Sequence, residues 1–314
     1  MQAASVSGIG REGQVGLFGL WRWLGPLSLV VALSCSAFTL ATDSPLFSRY
    51  AWQLDLPPEP AMPLPARQGF ATVGDFKMAY AIYGAGSPVL LIHGGLGNAE
   101  QWAAVVGPLA AHHQVIVADT RGHGRSERGS APMTYDQLAD DYLGLLDSLH
   151  LSKVALVGWS DGGIIGLDIA MHHPERLQSL VTYGANSRAD ALVKPVINPV
   201  MVEIGQRSEE DFIADGAGPA AWQRLTHDVQ RMWDTEPSWT SADLARIRTR
   251  TLIADGQYEE FIDPDDTRSM AAAIPGARLE LLPDTGHFAP LQTPAAFSRM
   301  VLAFLDQGDD PAGP

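Results

Sequence analysis

The feature that most constrains this 314-residue chain is a serine set between two different periodicities. Val154-Ala155-Leu156-Val157 is a continuous apolar run; Gly158-Trp159-Ser160-Asp161-Gly162-Gly163 interrupts it, and residues 164–173 continue with helical character. A short, unbroken apolar run suits a strand buried on both faces of a sheet. A strand that turns at once into a helix leaves its corner residue in a cramped backbone conformation. Small residues two positions before and after Ser160 let such a corner close. The serine hydroxyl then points away from the sheet. The N-terminus of the following helix offers backbone N–H groups and a positive dipole end, both favourable to an oxyanion.

The rest of the chain repeats this alternation. Residues 70–73 and 78–83 read as a hairpin around Gly74-Asp75. Residues 89–92, 115–118, 180–183, 252–254 and 279–282 are further short apolar runs, read as strands buried on both faces. Between them, residues 135–149 place Leu138, Tyr142, Leu145, Leu146 and Leu149 at helical spacing, and residues 295–305 do the same with Phe297, Val301 and Phe304. Strand and helix in turn predict an α/β domain, a mainly parallel sheet with helices on both faces. The rhythm stops between Gly184 and Thr251, where Met201, Trp222, Met232, Trp233 and Trp239 lie among polar residues. The interval from about 186 to 248 reads as a helical insertion, a cap over the sheet edge.

The domain so defined runs over residues 68–307, with a flexible tail at 308–314. Before it, Pro57, Pro58, Pro60, Pro63 and Pro65 mark an extended linker over residues 43–67. Residues 1–42 read as a secretory signal: Arg11 and Arg22 precede an uncharged stretch from Leu24 to Thr42, and cleavage after Ala37 or Ala41 is chemically reasonable. The alternative is an uncleaved membrane anchor, since the stretch is near the lower length limit for a span. The expectation is an exported protein, periplasmic or secreted, or one tethered by this segment. The net charge of −15 argues against nucleic acid as a partner, because phosphate binding needs a basic patch. Cys35 is the sole cysteine, which excludes an intramolecular disulfide, and its apolar setting does not suit a catalytic thiol.

A serine nucleophile needs a base. His287, in Thr285-Gly286-His287-Phe288 just past the last apolar run, stands where the chain order serine, acid, histidine puts it. His112, His113, His172 and His173 fall near helix ends and show no metal-ligand spacing, so no metal is expected. Four segments now stand in order: Ile92-His93-Gly94-Gly95, Asp119-Thr120-Arg121-Gly122-His123-Gly124-Arg125-Ser126, Gly158 to Gly163, and Gly286-His287-Phe288. From Phe70 to Leu305 the chain resembles the capped α/β-hydrolase family.

That resemblance implies a mostly parallel eight-stranded sheet, a Ser-His-acid triad and no cofactor. Its members reading G-W-S-D-G-G are similar to small-ester and amino-acid-ester hydrolases. At the family's Gly-x-x-Asp acid position this chain reads Gly256-Gln257-Tyr258-Glu259, which makes Glu259 the expected triad acid despite its longer arm. Glu260, Asp263 and Asp190 are the alternatives; Asp263, Asp265 and Asp266 also suit the N-cap of a helix near Pro264. By the same resemblance the backbone N–H groups of Gly95 and Asp161 form the oxyanion hole, with Leu96 in place of Gly95 as the second choice. The Asp161 carboxylate either stabilises its helix N-terminus or attracts a substrate ammonium. Leu96, Trp102, Trp159, Trp222 and Trp233, with Trp239, are candidates for an apolar pocket. The expected reaction is hydrolysis of a carboxylic ester or lactone through an acyl-enzyme on a small-molecule substrate. The same triad serves amidases, iminopeptidases and carbon–carbon bond hydrolases. A serine rather than a carboxylate at position 160 argues against dehalogenase and epoxide hydrolase chemistry. The alternative from another class is a ligand-binding module without catalysis.

Overall fold

In the computed structural model, which describes residues 56–307, the sheet opens with a hairpin. The strands β1 (Arg67–Val73) and β2 (Phe76–Tyr83) pair antiparallel around Gly74-Asp75, and Gly74 takes the left-handed φ of 55° that the tight turn requires. The signal or anchor expected over residues 1–42 and the tail expected at 308–314 lie outside the described residues.

Six further strands follow: β3 (Pro88–Ile92), β4 (Gln114–Ala118), β5 (Val154–Trp159), β6 (Leu177–Tyr183), β7 (Arg250–Gly256) and β8 (Arg278–Leu282). The eight form one sheet in the order β1-β2-β4-β3-β5-β6-β7-β8. It is antiparallel as far as the β2–β4 pair and parallel from β4 onward. β5 lies at the centre and is buried along its whole length, as a Val/Ala/Leu run between two helical layers must be. β8 departs from the reading of residues 279–282 as doubly buried. Leu279 and Leu281 are 43% and 39% exposed, because β8 is the edge strand and one of its faces is only partly covered.

The helices α1 (Ala103–Ala110), α2 (Tyr135–Ser148) and α3 (Asp161–His172) connect the first strands. An insertion of α4 (Pro199–Ala214), α5 (Pro219–Thr235) and α6 (Ser241–Leu244) separates β6 from β7. Three more, α7 (Pro264–Ala273), α8 (Ala289–Gln292) and α9 (Pro294–Leu305), complete the order. The sheet divides the core into two apolar layers. Tyr142, Leu146, Ile165, Ile169 and Met270 pack on one face; Trp102, Val105, Leu109, Phe297 and Val301 pack on the other.

The insertion has a small core of its own, with the Phe212 and Trp222 rings 5.4 Å apart. Side chains tie it to the body: Arg128 Nη2 meets Asp228 at 2.8 Å, and Glu236 Oε2 accepts the Tyr135 N–H at 2.9 Å. Arg207 on α4 donates to the carbonyls of Leu56 and Pro57, holding the proline-rich segment against the insertion with Leu56 buried. Among the described residues no helix is long and apolar enough to cross a membrane.

Candidate active site

Ser160 occupies the corner between β5 and α3 with φ 54° and ψ −120°, a conformation that costs an L-residue on the order of 1–3 kcal/mol. The surroundings fix it. Its N–H donates to Tyr183 O at 2.8 Å, and its carbonyl accepts from Gly163 N (2.8 Å) and Ile164 N (3.1 Å). A Cβ at position 158 would overlap the carbonyl of Gly162, and one at 162 would overlap that of Ile92. Both glycines are therefore steric requirements of the corner.

The loops after β7 and β8 meet beside this corner. Gln257 N donates to Leu282 O and Tyr258 N to Thr285 O, each at 2.9 Å, so the two loops are stitched together. His287 Nδ1 lies 2.8 Å from Glu259 Oε1, which also accepts the N–H groups of Phe261 (2.8 Å) and Ile262 (3.3 Å). With Nδ1 donating to a carboxylate, Nε2 is left as the basic nitrogen. Glu260 takes a different part: its Oε2 accepts the His287 backbone N–H at 2.8 Å, and its Oε1 faces Asn198 Nδ2 of the insertion at 3.5 Å. The remaining acid candidates lie elsewhere. Asp190 is exposed and paired with Arg188 at 2.7 Å, while Asp263 caps α7 by accepting Asp265 N at 3.0 Å. Asp266 lies in the first turn of α7, as read from the sequence, and also accepts both the N–H and the hydroxyl of Ser187 at 2.7 Å, pinning the chain after β6.

Burial sets the electrostatics. It depresses His287 below the ordinary histidine value, while Asp255, Glu260 and Asp161 pull the other way. It raises Glu259 to about 7, against the hydrogen bonds from Asp255, Phe261 and Ile262. Three groups position the histidine or its partner: Trp159, read from the sequence as a pocket candidate, and Tyr183 and Asp255, both missed from the sequence. Trp159 Nε1 donates to His287 O at 2.9 Å, Tyr183 Oη donates to Gly286 O at 2.7 Å, and Asp255 stands buried beside Glu259. Of the two missed, only Asp255 left a signal, as an acid directly continuing the apolar run Leu252-Ile253-Ala254.

On the other side of Ser160, the loop after β3 approaches the first turn of α3. Gly95 is packed so closely against Trp233 and the Asp161 carboxylate that a Cβ there would overlap both. Leu96 adopts φ 59° and its N–H points to His123 Nε2 at 3.3 Å, so this donor is already engaged. The Asp161 carboxylate is engaged too. Its Oδ1 accepts Tyr135 Oη (2.9 Å) and Trp233 Nε1 (2.8 Å), and Oδ2 lies 3.1 Å from the same indole nitrogen. It stands in the first turn of α3, as the helix-end reading has it, and it also links α2, α3 and the insertion. The pocket candidates separate. Trp102 is fully buried in the core against Phe297, with ring centroids 5.8 Å apart, and does not line a pocket. Trp159 is likewise core, and Trp222 belongs to the interior of the insertion. Leu96, Trp233 and Trp239 are partly exposed. Asp136, Asp168 and His172 group on α2 and α3, but Asp168 and His172 already bond to each other at 3.0 Å.

An eight-stranded sheet, a strained serine after its central strand and a histidine–carboxylate pair on adjoining loops define the class. The chain belongs to the α/β-hydrolase family and is a hydrolase: residues 87–207 match the family described as alpha/beta hydrolase fold. It is 30% identical over 266 residues to a putative carbamate hydrolase, RutD, of Azorhizobium caulinodans, covering 76% of this chain and 99% of that one. It is 25% identical to the 2-hydroxy-6-oxo-6-phenylhexa-2,4-dienoate hydrolase of Burkholderia cepacia, covering 75% and 93%. Among solved structures, the enol-lactonase from Burkholderia xenovorans LB400 aligns with TM-score 0.61 at 25% identity, covering 76% of this chain and all of that one. The meta-cleavage product hydrolase CumD from Pseudomonas fluorescens IP01 shares the fold with TM-score 0.67 at 22% identity, covering 76% and 97%.

Proposed function

We propose that this protein hydrolyses a carboxylic ester or lactone through an acyl-enzyme on Ser160. The observation that carries the reading is the His287 Nδ1–Glu259 Oε1 hydrogen bond of 2.8 Å on the loops beside the strained Ser160 corner. In this reading His287 Nε2 takes the Ser160 hydroxyl proton as Oγ attacks the carbonyl carbon. The oxyanion is held by the N–H groups of Gly95 and Asp161. His287 then passes the proton to the leaving oxygen, and the carbon–oxygen bond breaks. Water, deprotonated by the same nitrogen, attacks the acyl-enzyme and frees Ser160. The hydrolase family, with an enol-lactonase among its structural neighbours, supports this substrate class. The engaged Asp161 carboxylate speaks against a substrate ammonium beside the nucleophile. A carbamate is the second reading, favoured by the RutD relatives; the same attack applies, with a carbamoyl-enzyme in place of the acyl-enzyme.

The test is a panel of p-nitrophenyl esters, lactones, aryl carbamates and ring-cleavage dienoates, run on the wild type and on Ser160→Ala. An ester or lactone should be turned over fastest. Ser160→Ala should lose on the order of 10³-fold or more in kcat while remaining folded. Near-normal turnover by the variant would remove Ser160 as nucleophile; preference for the carbamate or dienoate arm would replace the substrate class alone.

A further inference from the structure

Asp255 ends the apolar part of β7, one residue before the glycine that opens the Glu259–Glu260 loop. It is 1% exposed. Its Oδ1 accepts the Gly256 N–H at 2.8 Å, and its Oδ2 lies 2.8 Å from Thr267 Oγ1 on α7. Glu259 is equally enclosed, and its three donors, His287 Nδ1 and the N–H groups of Phe261 and Ile262, all converge on Oε1. The other oxygen, Oε2, is buried and receives no N–H or hydroxyl donor. What stands in hydrogen-bonding contact with Glu259 is the Asp255 carboxyl.

Two carboxyls in contact inside a fold cannot both be ionised, so one proton must reside on the pair. The donors decide where. Glu259 is acceptor-only towards a histidine and two amides, which favours its charged form. Asp255 has one amide and a hydroxyl whose proton can turn either way. We propose that Asp255 is a neutral carboxylic acid that donates its proton to Glu259 Oε2. It is thereby a positioning residue for the triad acid.

This inference rests on the Ser160–His287–Glu259 reading above. It explains how both Glu259 oxygens are satisfied while its charge stays available to His287. The titratable groups facing the pair are Glu260 on the same loop, which raises Glu259, His287 on the β8 loop and the Tyr183 phenol on β6; Asp161 on α3 faces His287. Burial and the Glu259 charge push Asp255 well above the carboxylate range, whereas the Asp255 hydrogen bond draws Glu259 back down.

Asp255→Asn tests it. The amide oxygen keeps the Gly256 N–H. The amide nitrogen carries two protons, one for Glu259 Oε2 and one for Thr267 Oγ1, which reverses its role. Asp255→Asn should therefore keep kcat within about 3-fold of wild type and leave the acidic limb of the kcat/KM profile in place. Asp255→Ala leaves Oε2 without a donor and should lower kcat by roughly 10- to 100-fold with little change in KM, moving the acidic limb to higher pH. A difference infrared spectrum at neutral pH, folded wild type minus Asp255→Asn, should show a band for one protonated carboxyl.

The proposal is overturned if that band is missing, if Asp255→Ala behaves as wild type, or if Asp255→Asn loses 10²-fold or shifts the acidic limb downward. Glu259→Gln separates this from failure of the triad reading. It should lose about 10³- to 10⁴-fold whatever Asp255 does. An active Glu259→Gln beside an inactive Asp255→Asn would instead make Asp255 the triad acid.

Discussion

Asp161 joins three parts of the molecule through one carboxylate. It follows the nucleophile, begins α3, and accepts from Tyr135 on α2 and from Trp233 on α5. Burial lifts it to about 6 against these two hydrogen bonds. Trp233→Phe keeps an aromatic ring but deletes the indole N–H, leaving a buried carboxylate one donor short. Loss of a hydrogen bond to a charged group costs about 1.5–3 kcal/mol. Urea unfolding should read that loss, and a variant as stable as wild type would show that the Trp233 bond contributes nothing. The candidate residues were legible to different depths. Ser160, His287 and Glu259 sit in local strings whose spacing carries the signal, so one-dimensional reading reaches them. The partners of Asp161 stand 26 and 72 residues away, and no local pattern encodes them. Asp255 was hidden because its role depends on which side chain the neighbouring loop turns toward it.

The sheet was readable from its short apolar runs because burial on both faces forbids any other composition. The edge strand β8 was misread for the same reason, since Leu279-Glu280-Leu281-Leu282 is apolar in composition while its position leaves a face open. The insertion was legible only as a break in rhythm. Its helices owe their place to pairs that the sequence does not announce: Asn198 accepting Met201 N at 3.0 Å as the α4 cap, and the Thr240–Asp243 capping box of α6. Within it, Trp222 acts as a core residue. It is 7% exposed and sits against Phe212, with Leu225 and Val229 on the same buried face of α5. Trp222→Ala should therefore cost about 3–5 kcal/mol, as for other large aromatic truncations. The loss should be concentrated in this element. Hydrogen exchange is expected to accelerate across α4 and α5 while β5 and β6 keep wild-type protection. Uniform acceleration throughout the sheet would mean that the insertion and the body unfold as one unit.

At the scale of the whole molecule, two buried histidines tie the loops at one end of the sheet. His93 Nδ1 donates to Gly94 O at 2.7 Å and its Nε2 accepts Thr120 N at 3.0 Å; His123 Nδ1 donates to Arg121 O at 3.0 Å and its Nε2 accepts Leu96 N. Each ring thus presents its bare nitrogen to a backbone N–H, and a second proton would set donor against donor. The rings are also 5.3 Å apart, so charging both is worse. Burial accordingly lowers His93 to about 4 and His123 to about 3. A histidine depressed in the fold binds its proton first in the unfolded chain. Its contribution is complete above the unfolded value of about 6.5 and is lost as pH falls towards the folded value. For His93 that amounts to about 3 kcal/mol. The wild-type curve alone does not isolate the term, because Asp161 and Asp215, both raised to about 6, take up protons earlier in the fold and stabilise it in acid. A difference does. His93→Asn removes the titrating ring and keeps an amide able to meet the same backbone groups. Its stability deficit relative to wild type, measured by urea unfolding from pH 7 down to pH 4, should shrink by about 3 kcal/mol across that range. A deficit that stays constant with pH would mean that His93 is protonated equally in both states, and that its bare nitrogen is not what holds Thr120.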